Sequence, residues 1–212
     1  MSCCGLPSPG GTDIIERALK LCAFPSGVLL ADIGCGAGDC LRYLREHTGC
    51  RLAGADKDPD AVKKASACGI DVRCCAAEAL PFENGSLDGI IFQCSFSVFE
   101  KPQSALQEAY RVLNENGKLI IADFYSRGIE TVFPKTIGRV ERKEKIILRL
   151  QEAGFKLLFF EDWTQSMREL WGQLIFEGTD PETLLGEGSL DRMKAAKCGY
   201  GLFIAGKAVC DE

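Results

Sequence analysis

A glycine-rich stretch, VLLADIGCGAGD at Val28 to Asp39, constrains the fold of this 212-residue sequence more than any other feature. It begins with a near-continuous apolar run, which is typical of a strand that a parallel sheet buries on both faces. Gly34, Gly36 and Gly38 then predict a tight turn whose backbone can approach a ligand closely, because glycine has no Cβ. A helix is expected next, with its first amides directed into the crevice at the carboxyl edge of the sheet. The stretch therefore predicts an open α/β fold with a ligand site at that edge.

The spacing of the polar residues narrows the kind of ligand. In the dinucleotide fingerprint G-x-G-x-x-G counted from Gly34, the last glycine falls on Asp39, which weakens a pyrophosphate site. A second predicted strand, Arg51 to Ala55, ends in Asp56, about 20 residues beyond the glycines, where an acid can accept ribose hydroxyls. An acid for the ribose without a phosphate site favours an adenosyl ligand that carries no phosphates.

This pair of features resembles the class I S-adenosylmethionine-dependent methyltransferases, of the type 11 kind. Asp32, Gly34, Gly36 and Gly38 match the first motif of that family, and Asp56 matches its ribose acid. The resemblance implies a Rossmann-like seven-stranded, mostly parallel sheet with an antiparallel last strand, helices on both faces and S-adenosylmethionine as cofactor. It implies the following cofactor-binding residues: Asp32, Gly34, Cys35, Gly36, Gly38, Asp56, Lys57, Ala77, Glu78, Gln93 and Cys94.

The segment AAEALPF, which begins at Ala76, corresponds in the resemblance to the loop that holds adenine. There, the backbone amide of Ala77 and an acid would read the purine edge. The family commonly has Asp at the place of Ala76, so Glu78 substitutes for it, or backbone and water alone read the adenine amino group. The alternative is an ordinary loop that tucks Leu80 and Phe82 into the core.

Later blocks extend the resemblance. A fourth predicted strand ends at Gln93, next to the first strand, so residues 93–99 should border the methyl group and its acceptor. The run YRVLNENGKLIIAD, from Tyr110 to Asp123, resembles the helix, turn and strand that follow this loop in the family. The resemblance covers residues 13–161, and its most specific part is 28–124.

The remainder of the chain predicts one domain with a helical insertion. Asp13 and Glu16 predict a capping box for the first helix, and no element is assigned to residues 125–138. The insertion starts and ends at the carboxyl edge if the last strand is antiparallel, so we expect a lid, with Trp171 or Phe176 facing the substrate. The alternative is a helical decoration on the edge of the sheet. The predicted divisions are a single domain 1–212, a core 13–161, an insertion 163–199 and a last strand 200–207.

Composition bounds the partners. The formal net charge is −5 without a block of Lys or Arg, which argues against nucleic acid or an anionic membrane as the main partner. There is no apolar run of about 18 residues and no secretory signal pattern, so a cytoplasmic protein is expected. The acceptor is expected to be a small molecule, and the oligomeric state stays open.

The twelve cysteines raise one further hypothesis. A reduced chain uses cysteines as small hydrophobes, and the absence of Cys-x-x-Cys together with a single histidine argues against structural zinc. Arsenite methyltransferases look similar through the core and carry a cysteine where this chain has Cys94. Trivalent arsenic binds thiolates, so Cys94 with Cys198 and one of Cys3 or Cys4 would form a three-sulfur site.

The implied chemistry needs few catalytic groups. Transfer from a sulfonium is an in-line displacement that requires alignment and exclusion of water. A general base is needed only for an acceptor protonated near neutral pH, and Asp123 and Tyr125, at the tip of the fifth predicted strand, are the candidates, with a structural role as the alternative. A nicotinamide-linked oxidoreductase and a catalytically silent adenosyl-binding protein are the competing function classes.

Overall fold

The computed structural model describes residues 2–3, 6–67 and 69–208, with side chains from residue 7 onward. One sheet of seven strands forms the centre of the chain. Its strands in chain order are β1 (Leu29–Ile33), β2 (Arg51–Asp56), β3 (Asp71–Cys74), β4 (Leu87–Gln93), β5 (Leu113–Tyr125), β6 (Phe155–Asp162) and β7 (Gly199–Lys207). The helices are α1 (Asp13–Cys22), α2 (Asp39–His47), α3 (Pro59–Ser66), α4 (Pro102–Val112), α5 (Lys143–Glu152), α6 (Thr164–Phe176), α7 (Pro181–Leu185) and α8 (Ser189–Ala196).

The strand order is β6-β7-β5-β4-β1-β2-β3. Strand β1 pairs in parallel with β2 and β4, whereas β7 runs antiparallel to both of its neighbours. The predicted fold class is therefore confirmed. The strand order reverses beside β1, and open α/β sheets bind ligands at the carboxyl ends of the strands at such a point.

Alternation along the strands divides the core into two layers. In β5, Leu119 and Ile121 face a layer formed with α4 and α5. Ile120 and Ala122 face the opposite layer, which contains Ile14 of α1 together with residues of α2 and α6. The period of two that places successive side chains on opposite faces produces this division. Helix α1 packs mainly against β5 and β7.

Three local features differ from the sequence-based expectations. The capping box of α1 is wrong: Thr12 precedes the helix without a side-chain cap, and Glu16 instead accepts a hydrogen bond from the Tyr43 hydroxyl at 2.6 Å. The unassigned segment contains a short antiparallel hairpin, Thr131–Val132 with Arg139–Val140. A turn was expected between the helix and the strand of the run from Tyr110 to Asp123. Strand β5 instead begins directly after α4, so Asn116 lies inside a bulged strand. A partner distant in sequence, Tyr43, decides the contact of Glu16.

The insertion contains three helices, α6 to α8. Met167 and Leu185 are buried in the layer that includes α1. Trp163 lies against the segment before α1, since a Cβ on Gly10 would come within 2.9 Å of the indole ring. Within the described part of the chain, no helix is long and apolar enough to span a bilayer.

Candidate active site

A cavity of about 650 Å³ lies at the carboxyl ends of β1, β2 and β4, where the strand order reverses. It is bounded by the glycine loop after β1, the segment after β2 and the loops after β3 and β4. Ten of the eleven predicted cofactor-binding residues line it: Asp32, Gly34, Cys35, Gly36, Asp56, Lys57, Ala77, Glu78, Gln93 and Cys94. The eleventh, Gly38, lies outside the lining and immediately precedes α2.

The glycine loop packs so tightly that a side chain has no room. Gly34 has a φ of +75°, and a Cβ there would lie 2.5 Å from the Cβ of Ser95. The Ser95 hydroxyl donates to the carbonyl of Ile33 at 2.8 Å, which joins the loops after β1 and β4. Gly38 has a φ of +82°, and a Cβ there would meet Ala65 of α3 at 2.9 Å. The first and last motif glycines are therefore required by packing as well as by backbone conformation.

Asp56 fixes the glycine loop from the end of β2. One carboxylate oxygen accepts from the amide of Gly36 at 2.8 Å, and the other accepts from the amide of Asp58 at 2.9 Å. Each carboxylate oxygen can accept a second hydrogen bond. The carboxylate can therefore hold the loop and still receive hydroxyl donors from a ligand in the cavity.

Asp32 is the most unusual polar group in the cavity. Its side chain is only 2 % exposed, and Oδ1 is buried without a hydrogen-bond partner. Burial raises the pKa of Asp32 to about 7; Asp56 adds to the rise, and the hydrogen bond with the Cys40 thiol opposes it. Unpartnered buried polar atoms are rare in proteins. This oxygen therefore marks a place where a donor group of a ligand fits.

Two contacts join the segments after β2 and β3 to the residues that directly follow the loop 93–99. Glu78 accepts from the backbone amide of Lys101 at 2.8 Å, and Lys57 pairs with Glu100 at 3.0 Å. Lys57 and Glu100 are exposed, and such pairs contribute little stability. One oxygen of Glu78 is thus already engaged by the neighbouring loop.

The loop after β4, residues 93–99, borders the other end of the cavity and is held from behind. Arg139, in the hairpin, donates to the carbonyl of Phe99 at 2.6 Å and to that of Phe96 at 3.1 Å. Asp123 accepts from the amide of Ser97 at 2.9 Å. Cys94 has a φ of +52°, and its sulfur lies 3.0 Å from the Tyr200 hydroxyl. Sequence reasoning missed Arg139, because no element was predicted around it and its carbonyl partners lie about 40 positions earlier in the chain.

Neither predicted catalytic residue is among the described residues that line the cavity. Asp123 is buried beneath the loop after β4, and burial raises its pKa to about 6. The Tyr125 hydroxyl donates to Asp162 at 2.6 Å, and burial with this hydrogen bond raises the pKa of Tyr125 to about 12. Both contacts are those of structural residues, so a catalytic role for either side chain stays a prediction.

The proposed cysteine cluster is only partly covered by the structure. Cys94 lines the cavity, whereas Cys198 is buried outside the lining. Cys4 and the side chain of Cys3 lie outside the described residues. Among the residues that are described, no group of three or more His, Cys, Asp or Glu side chains could hold a metal ion. The three-sulfur site stays a prediction.

The predicted lid lies beside the cavity rather than across it. No described lining residue belongs to the segment 163–199. Trp171 is partly buried against the layer that includes α1, and Phe176 is 92 % exposed at the end of α6. The present arrangement therefore resembles the alternative, a helical decoration, and closure over a ligand stays a prediction.

Comparisons with known proteins agree with this geometry. The family model described as "Methyltransferase domain" matches residues 31–121. An uncharacterized methyltransferase, YodH of Bacillus subtilis, is 30% identical over 186 residues, which cover 84% of this chain and 72% of that protein. The demethylmenaquinone methyltransferase of Thermus thermophilus is 35% identical over 116 residues, which cover 51% of this chain and about half (53%) of that relative.

A solved structure shows the same fold with a ligand. The phosphoethanolamine N-methyltransferase 2 of Haemonchus contortus, in complex with phosphomonomethylethanolamine and S-adenosylhomocysteine, superposes with a TM-score of 0.76 at 18% identity. The match covers 95% of this chain and 54% of that one. Fold and cavity define a Rossmann-like α/β domain with a ligand site at the carboxyl edge of its sheet. The chain belongs to the class I methyltransferases, enzymes that use S-adenosylmethionine as cofactor.

Proposed function

We propose that this methyltransferase transfers the methyl group of S-adenosylmethionine to a small-molecule acceptor by in-line displacement. The observation that carries the proposal is the unpartnered oxygen of Asp32 beside a glycine loop in which Gly34 and Gly38 have no room for a side chain. That combination suits a ligand that approaches the backbone closely and brings a donor group to a buried carboxylate.

Each part of the cofactor has a partner in the cavity. Asp56 accepts the ribose hydroxyls with its remaining lone pairs, and the loop at Ala77 and Glu78 borders the adenine. Asp32 accepts from the ammonium group of the methionine part. Gln93 and Cys94, at the end of β4, border the sulfonium. These assignments are supported by the position of all six residues in the cavity lining.

The methyl group of the cofactor is already activated, because the positively charged sulfur is a good leaving group that departs as S-adenosylhomocysteine. The chain needs mainly to orient the acceptor and to exclude water. Phe99 and Val98 provide apolar surface at the acceptor end for that purpose. Since no described lining residue is a histidine, acceptors that need little help from a base, such as a free amine, fit this site best.

The acceptors named for the relatives range from demethylmenaquinone to a modified uridine of tRNA. The formal net charge of −5 favours a small molecule over a nucleic acid for this chain. A thiol or metalloid acceptor is the finer alternative, and Cys94 in the cavity lining is the observation in its favour.

A methyl-transfer assay separates these alternatives. The reduced protein is incubated with methyl-labelled S-adenosylmethionine and, separately, with neutral thiols, amines and arsenite, and formation of S-adenosylhomocysteine is measured. We expect acceptor-dependent turnover. Turnover of arsenite that Cys94→Ser abolishes would select the metalloid alternative, with Cys50→Ser, a partly buried cysteine outside the cavity, as the control. Tight binding of S-adenosylhomocysteine without turnover of any acceptor, including a metabolite extract, would favour a catalytically silent protein.

A further inference from the structure

The charges around the cavity limit what can approach the cofactor. We propose that the acceptor presents no negative charge at the methyl-transfer site, so that the substrate class is a neutral or cationic small molecule. This inference rests on the proposed function and adds the charge class of its substrate.

The described residues at the acceptor end of the cavity carry no charged side chain. It is formed by the loop after β4 and the segment before α1, and its described lining residues are Ser8, Gln93, Cys94, Ser95, Val98 and Phe99. Gln93 already donates from its amide nitrogen to the carbonyl of Gly11 at 3.5 Å. A phosphate or carboxylate at this end would find no cationic partner among these residues.

The rest of the lining is acidic. Its carboxylates are Asp32, Asp39, Asp56, Asp58, Glu78 and Glu100, whereas its only described cationic side chains are Lys57 and Lys64. Lys57 follows β2 and pairs with Glu100, and Lys64 lies on α3, so both belong to the adenosine side. The balance of charge in the cavity therefore repels an anion.

Two other sources of positive charge do not change this balance. Arg139 approaches the acceptor loop from behind and donates to the carbonyls of Phe96 and Phe99, and it is not a described lining residue. Arg42, on α2, pairs with Asp39 and donates to the carbonyl of Ala37, and it is not a described lining residue either. An anionic acceptor would thus lose its hydration without gaining a cationic partner among the described residues, which is unfavourable.

The proposed charge of the acceptor differs from that of the molecule bound by the Haemonchus enzyme. The complex of the Haemonchus enzyme contains phosphomonomethylethanolamine, a phosphate-bearing molecule. A phosphate of that kind needs cationic partners, such as the planar fork of Arg. The described acceptor end of this chain offers none, so we expect it to reject phosphate-bearing acceptors and to admit uncharged or cationic ones.

Sulfonium analogues of the cofactor test the inference without knowledge of the acceptor. Calorimetry at pH 8 compares analogues whose sulfur carries methyl, ethyl or carboxymethyl, the last of which places a carboxylate where the acceptor approaches. We expect the carboxymethyl analogue to bind at least about tenfold more weakly than the ethyl analogue, because like-charge juxtaposition is costly. Equal or tighter binding of the carboxymethyl analogue would overturn the inference. Failure of S-adenosylhomocysteine itself to bind would instead overturn the proposed function.

A charge introduced at the acceptor end provides a second, independent comparison. Val98→Lys places a cation in the lining. We expect it to narrow the difference in affinity between the carboxymethyl and ethyl analogues. Val132→Lys adds the same charge on the hairpin, at a side chain that is 59% exposed and outside the lining, and it should leave the difference unchanged. An identical effect of both variants would contradict a local electrostatic origin.

Discussion

Replacement of Asp32 by Asn is expected to stabilise the free protein at pH 8 and at the same time to weaken binding of S-adenosylmethionine. The carboxyl group is buried, and its pKa is raised to about 7 from an ordinary value of 3.8. At pH 8 the folded chain must hold an ionised carboxylate whose Oδ1 has no partner. An amide of the same shape carries no charge to bury, but it cannot balance the ammonium group of the cofactor.

The sign of the pH dependence follows from proton binding. Between pH 4 and 7 the folded state keeps the proton on Asp32 while the unfolded state loses it, so the free energy of unfolding falls as pH rises through this range. The penalty is complete above pH 7 and amounts to on the order of 1–3 kcal/mol. The Asn variant should therefore gain stability over the natural chain at pH 8 and not at pH 4.

Urea unfolding at the two pH values and calorimetric titration with S-adenosylmethionine measure both effects. Asp191→Asn, at an exposed position of α8 outside the cavity, is the matched control and should change neither quantity. For the natural chain, affinity should rise from pH 6 to pH 8, because the ammonium group binds the ionised carboxylate. A variant that loses stability at pH 8, or that keeps full affinity, would contradict the role given to Asp32.

Replacement of Gly34 by Ala should cost about 2–4 kcal/mol of stability and remove cofactor binding. The φ of +75° is unfavourable for alanine, and its Cβ would lie 2.5 Å from the Cβ of Ser95. Relief of that contact requires the loops after β1 and β4 to separate, which opens the cavity where the glycine loop forms its wall.

Gly27→Ala separates the cost of the backbone conformation from the cost of the contact with Ser95. Gly27 has a φ of +86°, and a Cβ there would meet nothing within 4 Å, so this variant should lose only the conformational part, about 1–2 kcal/mol. Urea unfolding of both variants, with titration of S-adenosylhomocysteine, gives the comparison. A Gly34 variant that is no less stable than the Gly27 variant and still binds S-adenosylhomocysteine would contradict the requirement for close approach of the loops after β1 and β4.

Local patterns were sufficient to predict the position of the cavity. The apolar strand before Gly34 and the acid at Asp56 have the spacing of one βαβ unit, which predicts a crevice at the carboxyl ends of these strands. The seven-stranded sheet with its antiparallel last strand was predicted from the resemblance to the methyltransferases. The resemblance also placed the loop at Ala77 and Glu78 beside adenine; this loop directly follows β3 and lines the cavity, and its contact with adenine stays a prediction.

Features that depend on distant partners could not be predicted. Glu16 has the spacing of a capping residue, but its carboxylate bonds to Tyr43 in another helix. Arg139 lies in a segment without hydrophobic periodicity, and only the folded chain brings it to the carbonyls of Phe96 and Phe99. Asp123 was correctly expected near the tip of its strand, but whether its carboxylate reaches the cavity or the underside of a loop depends on packing that spacing does not encode.

The most direct test of the account is calorimetric titration of the purified, reduced protein with S-adenosylhomocysteine, together with the Asp56→Ala variant. The account predicts one site in the natural chain and at least about a tenfold loss of affinity in the variant, because Asp56 holds the glycine loop and is proposed to accept the ribose hydroxyls. Asp191→Ala serves as the control and should bind normally. Absence of binding by the natural chain, or undiminished binding by the Asp56 variant, would contradict the account.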